Sequence, residues 1–213
     1  MKTCGAYIIL MILLLPQYQF FIPDVNSNSS PAPADYFNFQ LTDASRISIS
    51  GTSNVNEFKC LAYQDYASGN GIVEKNETSG HLKFQHTTIN ILVKSLSCDN
   101  QVMDYDMYQA LKSEKYPYIT LNLKEAFAAG NQKIDLLKNI PLIVTADLSV
   151  AGTCRTQTIQ INASQNSNGQ LIFHGTHKIK LEDFNIDPPT ALFGVIKVRD
   201  EVYINFDLYV EVK

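Results

Sequence analysis

The sequence predicts an all-β fold: an eight-stranded antiparallel barrel with one short helix. Three observations predict it. From about residue 45 to the C-terminus, apolar residues recur with period two. Turn signals separate the periodic runs, and a single stretch, about 101–114, switches to helical spacing.

The elements follow in order. "RISIS" alternates at Ile47 and Ile49, and "EFKCLAY" puts Phe58, Cys60 and Ala62 on one face. "HLKFQHTTINILV" begins with Leu82 and Phe84 inward and resumes in the opposite phase at Ile89, Ile91 and Val93. One extra residue flips the phase of a strand, so a β-bulge is expected around Gln85–Thr88. The fourth strand is Ile119–Leu123. The fifth carries Leu142, Val144, Ala146, Leu148 and Val150, and the sixth Ile159, Ile161 and Ala163. The seventh carries Leu171, Phe173, Gly175, Ile179 and Leu181, and the last Val202, Ile204, Phe206, Leu208 and Val210. Asn70-Gly71, Ser79-Gly80 and Asn168-Gly169 read as turns, the last as a hairpin. Strands with one apolar and one polar face fold into a sandwich or close into a barrel, and closure removes the exposed edges. Eight strands enclose an interior that side chains fill or that holds one small ligand. Ala62, Ala146, Ala163 and Gly175, small and in the inward phase, are expected to leave room there.

The helical stretch carries Met103, Met107 and Leu111 on one stripe, and Pro117 releases the chain into a strand. It joins two strands across an end of the barrel, so the helix is expected near the barrel mouth. Packing on the outer wall is the alternative.

Residues 1–22 hold one Lys, an apolar run from Ala6 to Leu15 and then Pro16. That run is too short to span a bilayer and suits an export signal, or an N-terminal anchor where it is not cleaved. Residues 23–36, rich in Pro, Ser and Asn, read as a linker, and 37–213 as the barrel domain. The expected location is therefore periplasmic or exported. Three cysteines follow the signal. In an oxidising compartment we favour a Cys60–Cys98 disulfide over three buried thiols. A net charge of −4 with scattered lysines argues against nucleic acid.

Three segments then carry a family resemblance: "SEKYPYITLNL", "LSVAGTCRTQTIQI" and "LEDFNIDPPTALFGVIKVRDEVYINFDLYVEV". Tyr116-Pro117 leads into a strand, a strand–turn–strand corner sits at Gly152, and Asp183-Phe184, Ile186 and Pro188-Pro189 precede the final strand. In order and spacing they resemble the YceI-like, polyisoprenoid-binding, lipocalin-like periplasmic family. The resemblance covers about Ser45 to the C-terminus. It implies a lipocalin-like barrel whose apolar tunnel holds an isoprenoid lipid or a quinone, and it implies no catalysis.

The residues nominated as ligand contacts are Phe84, Leu121, Val144, Leu148, Phe173 and Phe206 from the strands, Met107 and Leu111 from the helix, and Phe193 from the apolar run 190–198. That run reads equally as wall or as lip. Transient membrane contact accompanies such a role. The other reading is a dry barrel that meets an envelope or electron-transfer partner through the outward Tyr118, Tyr203 and Tyr209. No nucleophile–base or phosphate-cradle motif appears, so no catalytic residue and no cofactor are assigned. His174 and His177, three apart on a strand, point to opposite faces and make a poor metal pair. The histidines read as surface or hairpin-end residues, and no metal is assigned. Asp104, Asp106 and Glu114 read as the helix's solvated face and first-turn charges.

Overall fold

The computed structural model describes residues 34–63, 68–76, 79–130, 133–191 and 195–213. The expected signal (1–22) and residues 23–33 of the expected linker lie outside them.

Thirteen strands form one antiparallel sheet system: β1 Ala34–Leu41, β2 Arg46–Ser53, β3 Glu57–Ala62, β4 Ser68–Asn76, β5 His81–Gln85, β6 Thr88–Leu92, β7 Leu96–Ser97, β8 Tyr118–Ala128, β9 Ile140–Val150, β10 Thr153–Gln165, β11 Leu171–Lys180, β12 Thr190–Ala191 and β13 Ile196–Val212. Helix α1 spans Gln101–Ala110. The pairing order β1-β4-β5-β8-β9-β10-β11-β13 returns to β1 through Phe39↔Val212 and Leu41↔Val210, which closes a ring of eight. β2 continues along the edge of β13 that β1 leaves, and β3 and β7 extend from it. Ser45 holds the β1–β2 corner. Its fully buried hydroxyl accepts from the Tyr209 amide at 3.0 Å and donates to the Tyr209 carbonyl at 3.3 Å.

The expected break in the third run is present: β5 and β6 are separate, and His86 between them has φ 57°. A second bulge, not foreseen, lies between Leu123 and Glu125 of β8, and it carries the fourth strand on to Ala128. Gly80 and Gly169 take positive φ in the turns expected of them.

Two expectations about strand boundaries and turns are corrected. Residues 34–36 belong to β1, so the sheet begins inside the expected linker. Asn70-Gly71 is not a turn but the middle of β4, opposite Asn38 and Phe37. Aromatic packing explains these strand glycines. A Cβ on Gly71 would lie 2.1 Å from Thr87 Oγ1 and 2.9 Å from the Phe37 ring, and one on Gly69 2.5 Å from the Phe39 ring. Gly175 behaves the same way, its space taken by the Phe206 ring at 2.6 Å. It therefore leaves no free room.

α1 closes one end of the barrel. Asn100 caps it, its side chain accepting from the amides of Val102 and Met103. The helix ends before residue 114 because Lys112 turns left-handed (φ 54°) and the Ser113 amide reaches back to the Tyr108 carbonyl at 2.9 Å. Leu111 belongs to the same buried cluster as Val150, Ala151, Leu181, Phe184 and Ile186, and Met107 and Tyr108 pack against that cluster. Asp104 is not merely a solvated charge: it accepts from the Ser97 hydroxyl (2.7 Å) and the Cys98 amide (2.6 Å), tying α1 to the strand before it. Cys60 and Cys98 form the favoured disulfide, and Cys154 is free and exposed.

The β9–β10 corner is fixed by an aromatic contact. Gly152 has φ 83°, and a Cβ there would stand 2.3 Å from the Tyr116 ring. Gly152→Val combines a backbone penalty with that clash, so a loss of about 2 kcal/mol or more is expected in urea unfolding. Gly152→Ala should lose less. Equal stability of all three chains would mean that the corner is not held by this contact.

Candidate ligand-binding site

The site is the inner face of the ring. Alternation along each strand sets which side chains point inward, and burial shows what they meet there. On β13, Val202 and Val210 are buried, while Ile204, Phe206 and Leu208 between them are only half-buried. Their outward neighbours Glu201, Tyr203 and Asp207 are exposed. The same interruption occurs on β8, where Leu121 and Leu123 are half-buried between Ile119 and Ala126. On β10, Ile161 is half-buried between buried Ile159 and Ala163.

A packed domain usually gathers its buried apolar residues into one contiguous core with smaller satellites. Here they fall into three clusters. One surrounds Leu148, Val150, Ile179 and Val202 under α1, one surrounds Ala126, Leu142, Val144 and Ala163, and one joins Phe39, Leu41 and Val210. Half-buried apolar side chains lie between them: Phe173 touches the second and third clusters, and Leu208 the first and third. These half-buried inward side chains, lying between the packed clusters of a closed ring, make the inner face a candidate lining for an apolar ligand.

Of the nominated residues, Phe84, Leu121, Phe173 and Phe206 lie half-buried on this inner face, and Met107 is half-buried against the cluster under α1. Val144, Leu148 and Leu111 are 7%, 4% and 7% exposed and belong to the packed clusters, which makes them wall rather than open surface. Phe193 lies outside the described residues. Two open clefts, of about 480 and 580 Å³, carry charged or polar residues on their rims, Glu182, Asp187 and Asp200 in the first and Asn38, Gln40 and Asn70 in the second. Neither suits an oily chain.

The histidines need a correction. His174 is exposed and pairs with Asp207 on the outer face, and His81 pairs with Glu125 at 3.1 Å. His177, however, is an inward residue. It shares the parity of Phe173, Gly175 and Ile179, and its Nε2 lies 2.9 Å from Oε1 of Gln157. Gln157 in turn shares the parity of Ile159, Ile161 and Ala163. Parity alone would have found both residues, but their polarity hid them from a count of apolar positions. Burial, the sole cause, pushes the His177 imidazolium below its usual range near 6.5. The unfolded chain therefore takes the proton first. Stability is full above about pH 6.5 and falls as pH drops below it. His177→Leu should flatten that part of the Tm–pH curve, and a variant curve parallel to the parent's would contradict the assignment. Among the described residues, no group of three or more His, Cys, Asp or Glu is arranged to hold a metal, and no helix is long and apolar enough to cross a membrane.

A closed antiparallel ring with an apolar inner face and a helix near one end defines a lipocalin-like barrel. The chain belongs to the YceI-like family, whose domain model matches residues 42–210. Among solved structures it resembles BcnA of Burkholderia cenocepacia, with 21% identity, a TM-score of 0.58 and coverage of 78% of this chain and 96% of that one. It also resembles a polyisoprenoid-binding domain from Saccharophagus degradans implicated in plant cell wall breakdown, with 16% identity, a TM-score of 0.59 and coverage of 83% and 98%. No curated protein gives a significant sequence match. The motif residues acquire physical meaning in this frame: Tyr116 of the Tyr-Pro step packs on Gly152 of the corner, and Phe184 and Ile186 bury beneath α1.

Proposed function

We propose that this protein binds and carries an apolar lipid of the isoprenoid or prenyl-quinone class in its lumen, without catalysing a reaction. The observation that carries the reading is the belt of half-buried apolar side chains inside a closed ring, from Phe84 and Leu121 round to Phe206 and Leu208. The polyisoprenoid-binding relative supports it. Burial drives binding: about 400 Å² of prenyl surface at about 25 cal/mol per Å² yields about 10 kcal/mol before ordering costs. The apolar run at residues 6–15 supports export to the cell envelope, and collection of a membrane lipid there entails transient membrane contact.

Titration of delipidated protein with a prenyl-tailed quinone tests this. Binding should show a negative heat-capacity change and an affinity that scarcely moves between low and high salt. No binding, or an affinity that falls steeply with salt, would overturn it.

The alternative, a dry barrel meeting a protein partner, draws on Tyr118 and Tyr203, which are 52% and 39% exposed on the outer face. The divided core weighs against a dry interior.

A further inference from the structure

Among the described residues, the inner face of the ring carries a hydrogen-bonded polar pair, His177 and Gln157. The β10–β11 ladder runs from Gln165↔Leu171 to Ile161↔Gly175 and stops there. Beyond that point β10 continues to Thr153 against β9, and β11 continues to Lys180 against β13. The two strands part without further ladder pairs, and the His177–Gln157 hydrogen bond spans the parting from the inner side.

The surroundings of the pair are apolar. Across the ladders, His177 faces Ile204 and Gln157 faces Ala146, with Ile159 and Ile179 as the next inward residues on their own strands. With Oε1 of Gln157 as the acceptor, the imidazole carries its proton on Nε2. Its Nδ1 lone pair and both amide hydrogens of Gln157 are then left over. Among the described residues none of these makes a hydrogen bond, and neither atom is among the fully buried, unpartnered ones. Both atoms keep accessible surface, so their remaining donors and acceptor are open to a ligand oxygen.

Building on the carrier reading, we infer that Gln157 and His177 hold the polar end of the lumen lipid: the Gln157 amide donates to a carbonyl or hydroxyl oxygen, and His177 Nδ1 accepts from a hydroxyl. The ligand class is thus an apolar chain that ends in an uncharged oxygen group. A phosphate head is the poorer match. Burial keeps the imidazole neutral, and Arg155, the cation that shares this strand parity, is exposed with its Nη1 on the Cys154 carbonyl at 3.1 Å.

The test compares three probes on delipidated full-length protein: a quinone with a short prenyl tail, a prenyl hydrocarbon of similar length without oxygen, and the matching prenyl phosphate. The parent chain should prefer the quinone to the hydrocarbon by about tenfold. Gln157→Leu and His177→Leu should each remove most of that preference while hydrocarbon affinity stays constant or rises. On the parent chain itself, quinone should move the ¹⁵N resonance of His177 Nδ1 or of the Gln157 amide, and hydrocarbon should not; this readout stands even if a variant misfolds. Equal loss of both affinities in the variants, an unmoved ¹⁵N signal, or a preference for the phosphate that depends on Arg155 would each overturn the assignment. A parent chain that takes up none of the three probes overturns the carrier reading, and this inference with it. One that takes up hydrocarbon and quinone equally overturns this inference alone.

Discussion

Leu208→Trp should keep the fold and lose the lipid. Leu208 is half-buried on the inner face, between the cluster under α1 and the one that joins Phe39, Leu41 and Val210. A larger side chain there enters space that a lipid would occupy. Displacing about 100 Å² of lipid contact removes about 2.5 kcal/mol, or close to a hundredfold in affinity. The melting temperature should stay within a few degrees of the parent's. Leu148→Trp is the paired comparison. Leu148 is 4% exposed in a packed cluster, so the added bulk meets atoms rather than space and should cost about 1–3 kcal/mol. Two equally destabilised variants would mean that the space beside Leu208 is already filled.

Removing the disulfide has the largest expected effect on stability. Cys60 is 1% exposed on β3, and Cys98 sits between β7 and α1, 38 residues further along. The bond anchors the approach to the helix onto β3, which extends from β2 beside the ring, next to the Asp104 contacts to Ser97 and Cys98. A closed loop of that size constrains the unfolded chain by about 4 kcal/mol in the chain-entropy model. For a domain of this length, about 10 °C in Tm should go with the Cys60→Ser, Cys98→Ser pair or with reductant. Cys154→Ser should change nothing, since that thiol is exposed and free. A reductant-insensitive Tm would contradict a structural role for the bond.

What was legible in the sequence, and what was not, divides along physical lines. Period-two runs gave most of the strands, because each buries one face, and the phase reversal between Phe84 and Ile89 revealed the break at His86. The helix over the barrel end could be read from the Met107–Leu111 stripe and Pro117. Strands β1 and β4 were missed because β4 lacks an apolar stripe at its start: its glycines make room for Phe37 and Phe39, a relation between distant residues that no local pattern records. The helix end was misjudged because Lys112, not a glycine, takes the left-handed position. Parity correctly read Phe84, Phe173 and Phe206 as inward residues. Which inward residues are fully packed and which stay half-buried was not legible, since that depends on how eight strands space themselves. The Gln157–His177 pair was hidden for the opposite reason: polar residues at inward parity look like errors in a pattern until the ring is closed around them.

The most direct measurement is mass spectrometry of an organic extract of the protein purified from cell envelopes under mild conditions. The account predicts a prenyl-tailed species at close to one molecule per chain, absent from an extract of Leu208→Trp. An empty extract, from a protein that also takes up no added prenyl quinone, would contradict it.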